Sequence, residues 1–249
     1  MQRRLVFFVA FAVLAAGLFV RLGFWQLHRL GERQAANAVI SARQSAPVVD
    51  LRTLGGDTAA GRFRRARVAG TPDYAREIVV AARSHEGSPG VNILTPVRVA
   101  GTDTAFLVNR GWVYSPDGVT VDLAHWRETD TVFTGYTAAL GVLPIGMTDT
   151  SGLRTVRLLD EHELAARLPY PISPLNLVAA PAEPLPSNGA AARPAPVRLS
   201  MPSLDEGPHL SYAIQWFSFA TIAVVGAIVI AVRTRGGNGA KPDRTSRVG

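Results

Sequence analysis

The sequence predicts an α+β protein in which two transmembrane helices flank a mainly antiparallel β, half-open barrel-like extracytoplasmic domain. Three observations carry this reading. An apolar run lies towards each end of the 249 residues, short alternating segments with turn signals fill the middle, and the ends alone hold the net charge. The 26 basic and 19 acidic side chains leave a formal charge of +7. Residues 1–23 contain Arg3, Arg4 and Arg21 and no acid, residues 233–249 contain five bases against Asp243, and the segment between is neutral. Polyanion binding needs clustered excess charge, so the neutral middle argues against nucleic acid as a partner. The absence of cysteine excludes disulfides, zinc–thiolate sites and a thiol nucleophile.

Residues 1–4 form a short cytoplasmic N-terminus, and residues 5–27 form the first transmembrane helix. That run makes about 34 Å of helix, enough for a hydrocarbon core of roughly 30 Å. Arg21, its one charge, lies near an end from which its stem reaches the headgroups. A signal peptide cleaved near Ala15 is the competing reading, but the apolar run continues past that point. Residues 210–232 carry no charge, are followed at once by Arg233 and Arg235, and form the second span. Basic residues outside both spans put both termini in the cytoplasm by the positive-inside rule. Residues 233–249 are then a basic cytoplasmic tail, and the protein is a two-span protein of the cell membrane. So little cytoplasmic chain leaves no room for a folded signalling output, and spans without a mid-membrane ionisable group do not line an ion path.

Residues 28–180 form the extracytoplasmic domain. Strands are expected at 62–68, 77–83, 91–99, 104–113, 131–140 and 153–158, from their alternation and β-branched content. Ala100-Gly101-Thr102-Asp103 is a hairpin turn. Asp160 caps a short helix, with Glu163 three residues on and Pro169 as the stop. Residues 30–45 either continue the first helix or form a separate one. Residues 181–209, with seven prolines up to position 208, form an extended tether.

Catalytic signatures are lacking: there is no G-x-S-x-G, no H-E-x-x-H and no Gly-rich phosphate loop after a strand. His28, His85, His125 and His162 each stand alone as surface or turn residues. Arg62, Arg64, Arg65 and Arg67 alternate with apolar positions as the solvated face of a strand, where contact with anionic lipid is the alternative. Ser115, Asp122 and His125 are the only candidates for a hydrolase triad, and the fold would have to assemble them.

The two outer membrane entries are the most specific segments. They read Leu22-Gly23-Phe24-Trp25-Gln26-Leu27-His28-Arg29-Leu30 and Pro208-His209-Leu210-Ser211-Tyr212-Ala213-Ile214-Gln215-Trp216-Phe217. On the second helix His209, Tyr212, Ala213 and Trp216 follow the i, i+3, i+4, i+7 rule and share a face, as do Trp25 and Arg29 on the first. One reading is an aromatic belt at the interface. The other is a ligand site, because an imidazole flanked by flat rings suits axial ligation and stacking of a haem. Periodicity leaves the two open.

With Gly90-Val91-Asn92-Ile93-Leu94-Thr95-Pro96-Val97 and Leu107-Val108-Asn109-Arg110-Gly111-Trp112-Val113 added, these segments resemble, in order, the Surfeit locus protein 1 family. Pro208 stands where that family often has Asn, and the Pro/Ala-rich stretch before the second span is an insertion. The resemblance implies a membrane-bound, non-enzymatic assembly factor for haem-copper cytochrome c oxidase that aids delivery of haem a into subunit I. It implies His209 as the haem-iron ligand, with Trp216, Tyr212 and Trp25 beside the cofactor. The implied partners are oxidase subunit I, haem a synthase and membrane lipids. The alternative is a scaffold that binds no haem and stabilises an oxidase assembly intermediate through its domain. Asn109-Arg110-Gly111-Trp112 is then either structural or an interface.

Overall fold

The computed structural model describes residues 2–141, 154–181 and 195–236. The stretch 182–194 of the expected tether, residue 153 of the last expected strand and the tail from 237 onward lie outside the described residues. The chain divides into two compact units, residues 1–39 with 204–249 and residues 40–203.

The first unit is built on two helices. Helix α1 runs Gln2–Ser45 and helix α4 runs His209–Gly236. Both are long and apolar enough to cross a membrane. Residues 30–45 thus continue the first helix. The pair is antiparallel, as Phe19 meets Phe219 and, further along α1, Gln26 meets His209. Their seam alternates steps of three and four: Ala12, Ala16, Phe19, Gly23 and Gln26 on α1 face inward, as do His209, Ala213, Trp216, Ala220, Ala223 and Ala227 on α4. This is the coiled-coil spacing, and small side chains let the backbones approach where lipid supplies no hydrophobic drive between helices. Outward positions such as Phe7, Phe11, Leu14, Ile222 and Val232 are exposed and apolar.

The described residues of the second unit hold one nine-stranded sheet. Its strands are β1 (Val49–Asp50), β2 (Arg65–Ala69), β3 (Thr71–Pro72), β4 (Ile78–His85), β5 (Ser88–Arg98), β6 (Ala105–Tyr114), β7 (Val132–Ala139), β8 (Thr155–Val156) and β9 (Leu175–Ala179). Two short helices accompany it, α2 (Thr58–Gly61) and α3 (Glu161–Arg167). The order is β1-β2-β7-β9-β6-β5-β4-β8, with β3 on β5. The class is α+β and the sheet is mixed: β1–β2, β4–β8 and β6–β9 are parallel joins. The parallel join inside the sheet comes from β9, which enters between β6 and β7. Five buried residues, Leu-Asn-Leu-Val-Ala, make this strand; flanked by Pro171, Pro174 and Pro181, they are not among the strands expected from the sequence.

The expected hairpin joins β5 to β6, with Gly101 at φ +82° in the turn. Asp160 caps α3, accepting from the Glu163 amide at 2.9 Å. Leu164 of α3 is fully buried against Ile78, Val80, Leu94 and Leu107. On the other side of the strands Ala66, Val68, Phe106, Phe133 and Leu177 share a second core. Only part of the expected arginine face forms: Arg62 caps the end of α2 and the half-buried Arg64 precedes β2, while along β2 Ala66 and Val68 are buried, Arg67 is exposed and Arg65 is half-buried.

Candidate functional site at the start of the second span

Within the two-helix unit, the approach to α4 is laced to the far end of α1. The Arg33 Nε donates to the Asp205 carbonyl at 3.0 Å, the Asn37 amide to the Leu204 carbonyl at 2.9 Å, and the Gln34 amide to Glu206 at 3.1 Å. The Gly207 amide then donates to the Asp205 carboxylate, and Gly207 turns the chain at φ +72°. Pro208 supplies the first carbonyl of the helix, which accepts from the Tyr212 amide at 3.1 Å and from the Ser211 hydroxyl at 2.8 Å. Proline is compatible with a helix start because that position's N–H would find no partner inside the helix. The departure at Pro208 therefore leaves α4 beginning at His209.

His209 sits half-buried where the seam opens. Its Nδ1 lies 2.9 Å from Oε1 of Gln26, a side chain only 9% exposed on the facing helix. The imidazole also borders a cleft of about 430 Å³ whose walls include Arg29, Glu32, Arg33, Ala36, Asp205 and Glu206. A Cβ at position 207 would be in ordinary van der Waals contact with the ring, 3.6 Å from Cδ2 and 3.7 Å from Nε2. Gly207 thus lies at the Nε2 edge of the imidazole and places no side chain there. On the cleft wall Arg29 pairs with Glu32 at 2.6 Å.

The aromatic residues are distributed differently from His209. Trp216 is half-buried in the seam, stacked on Phe19 with centroids 5.7 Å apart, and meets Phe219 edge-on. Tyr212 and Trp25 face outward, 46% and 53% exposed. The expected shared face is therefore split. The seam passes through His209, Ala213 and Trp216, and a residue at the third step from His209 falls to its flank. Gln26 was missed as a site residue, although the Trp25-Gln26 motif contains it. Its signal was a polar side chain one turn from Gly23 in an otherwise apolar inner stripe.

Among the described residues, no three His, Asp or Glu groups gather to hold a bare metal ion. Nor do the hydrolase candidates converge: the Ser115 hydroxyl donates to Asp117 at 2.7 Å, Asp122 accepts from the Ala124 amide, and the His125 ring packs edge-on against Trp126.

The Asn109-Arg110-Gly111-Trp112 motif has a separate place, inside the second unit. Ile93 pairs with Gly111 while Leu94 pairs with Asn109, so Arg110 is the extra residue of a bulge. A bulge re-aims a side chain, and here the guanidinium enters the interior, fully buried. It meets Glu77 at 2.6 Å and Glu128 at 2.9 Å, and its Nε donates to Thr95 at 2.8 Å. Arg198 joins Glu128 and the Arg110 carbonyl. Gly111, at φ +130°, leaves room for the Val197 carbonyl, which a Cβ would meet at 2.3 Å. The Trp112 and Val197 backbones exchange two 2.8 Å hydrogen bonds. Burial pushes the Glu77 carboxyl above its ordinary value, and the Arg110 guanidinium opposes that shift. The motif thus builds the fold, fastening the segment around Val197 to β6.

A family model described as the SURF1 family matches residues 13–221, across both helices and the domain. The chain belongs to the SURF1 family. A SURF1-like protein of Monosiga brevicollis is 28% identical to it, the match covering 87% of this chain and 84% of the relative. Proteins named uncharacterized SURF1-like in Mycobacterium bovis and Mycobacterium tuberculosis are each 29% identical, over 88% of this chain and 78% of theirs. This SURF1 family match takes in the His209 entry, the Trp25-Gln26 pair and the Arg110 bulge together.

Proposed function

We propose that this chain is a membrane-bound assembly factor for haem-copper cytochrome c oxidase, and that it holds haem a at the outer end of its helix pair for delivery to subunit I. Family membership supports the assembly role. The observation that carries the haem assignment is the environment of His209: one ring nitrogen faces Gln26, the other is on the edge nearest Gly207, which has no side chain, and the residue borders a cleft. A lone imidazole suits an iron that already has its equatorial ligands in a macrocycle. Haem a would supply a Lewis-acidic iron for an imidazole nitrogen. His209 would hold that iron, Gln26 and the helix seam would hold the imidazole ring, and the exposed faces of Tyr212 and Trp25 would flank the entry. Trp216 acts from behind, through the seam. In this reading the protein binds and hands over its cargo and catalyses no reaction. Both termini are cytoplasmic, the β domain lies outside the cell membrane, and haem a synthase is the chemical source of the cargo.

The test is purification of the detergent-solubilised protein from cells that make haem a. A stoichiometric Soret band is expected, and His209→Ala should remove it; a band that survives intact ends the ligand assignment. A second reading rests on the domain. His85, Trp112 and Tyr114 form an aromatic row in which Tyr114 is 59% exposed, a surface suited to a protein partner. If the chain is instead a scaffold without haem, oxidase assembly survives His209→Ala and is lost on Tyr114→Glu.

A further inference from the structure

We propose that Gln26 is a positioning residue that fixes the tautomer of His209, holding the proton on Nδ1 and so leaving the Nε2 lone pair for an axial metal bond. The inference rests on the haem reading of His209 and specifies how that residue is prepared. An imidazole ligates through an unprotonated nitrogen, and which nitrogen is free is set by the hydrogen bond the other one makes. Here Nδ1 of His209 lies 2.9 Å from Oε1 of Gln26.

Three features make the contact more than incidental. Gln26 occupies a seam position, one helical turn from Gly23, where neighbouring inward positions are Ala12, Ala16 and Phe19. A nearly buried amide there is unfavourable unless it is hydrogen-bonded, and its partner comes from the other helix. The carbonyl oxygen, an acceptor only, faces Nδ1 and selects the Nδ1–H form. Finally, Gly207 lies against the opposite edge of the ring, nearest Cδ2 and Nε2, so the nitrogen released by this choice is the one not covered by a side chain at that position. A free histidine side chain favours the Nε2–H tautomer, so the site has to reverse the intrinsic preference.

The full-length, haem-free protein with 15N-labelled histidine in detergent tests the tautomer directly at alkaline pH. The chain has five histidines, and loss of one set of signals in His209→Ala identifies the residue. The expected pattern for His209 is a protonated Nδ1 and an unprotonated Nε2, the latter coupled to both ring carbon-bound protons. Gln26→Leu should return the ring towards Nε2–H, and Gln26→Glu should keep Nδ1–H. A wild-type ring with its proton on Nε2 overturns the proposal, as does an unchanged tautomer in Gln26→Leu.

A second arm uses the haem-loaded protein. Loss of such an outer partner typically weakens metal affinity roughly 10- to 100-fold, so Gln26→Leu should release haem a correspondingly more readily. Gln26→Glu should retain it at a lower midpoint potential, because a carboxylate acceptor makes the imidazole a stronger donor to ferric iron. Equal retention and equal potential in all three proteins defeat the positioning role even when His209→Ala abolishes haem binding. Conversely, if His209→Ala keeps its haem, the ligand assignment fails while the tautomer result stands on its own.

Discussion

Polar side chains are buried in both units, and they are treated in opposite ways. In the β domain Glu77, Arg110, Glu128 and Arg198 form a chain in which every charge touches an opposite one. In the helix pair Asn37 bonds the chain at Leu204 and Gln26 meets one nitrogen of His209, whose imidazole borders a cleft. A network that spends its donors on its own acceptors fixes a fold. A polar group engaged on one side only is what the ligand role proposed for His209 would use. The two motifs that most define the sequence, Asn109-Arg110-Gly111-Trp112 and His209 with its flanking residues, therefore do different work.

The largest effect that separates them is expected at Arg110. Arg110→Met removes the cation shared by Glu77 and Glu128, and breaking a buried pair in this way costs about 3–5 kcal/mol because carboxylates are left buried without a partner. Chemical denaturation of the full chain in detergent should show this loss in the domain's transition. At denaturant-free conditions the His209 tautomer should remain as in wild type. A stable Arg110→Met domain, or one that unfolds only together with a change at His209, breaks the division of labour.

Gly23→Leu attacks the other side. A Cβ at position 23 would already stand 2.7 Å from the Phe217 ring, so a branched side chain must push the helices apart one turn from Gln26. Overpacking of this kind costs roughly 1–3 kcal/mol. The absence of native cysteine allows a cysteine pair to be placed across the seam without interference. Reduced disulfide formation and a weakened Nδ1–H preference at His209 are expected, with the domain's denaturation midpoint unchanged.

Much of this was legible in the sequence because it depends on local signals. Apolar length located both helices, and alternation found β2, β4, β5, β6 and β7, with only ends misjudged by a few residues. The hairpin at Gly101 and the cap at Asp160 carry their turn and cap chemistry in adjacent residues. What escaped depends on distant partners. β9 is too short and too closely bounded by prolines to announce itself, and only insertion between β6 and β7 makes it a strand. Arg110 reads as an ordinary strand arginine until a bulge turns it inward. At the candidate site, His209 could be named from its segment, whereas Gln26 gains meaning only across the two helices. The helical-face rule placed Tyr212 with His209, but the packed seam runs to Ala213 and leaves Tyr212 outside.

The smallest expected effect comes from a polar knot that is satisfied yet exposed, and it sharpens what burial adds to the Arg110 network. Asp117 accepts from the Ser115 hydroxyl at 2.7 Å, the Val119 amide at 2.9 Å and both the amide and hydroxyl of Thr120. The Thr120 bonds first, then those from Ser115 and Val119, hold its carboxyl well below the ordinary carboxylate range. The folded state thus binds this proton less readily than the unfolded chain, whose Asp titrates near about 3.9. The contribution of the knot is present above that value and is lost as pH falls through the folded one. Wild type should therefore exceed Asp117→Asn in stability at pH 6, with the gap narrowing on acidification below about pH 4. Solvent surrounds this carboxylate, so the gap should be far smaller than the loss in Arg110→Met. A comparable loss at the two sites would mean that satisfaction of hydrogen bonds, rather than burial of charge, sets the strength of the domain's polar network.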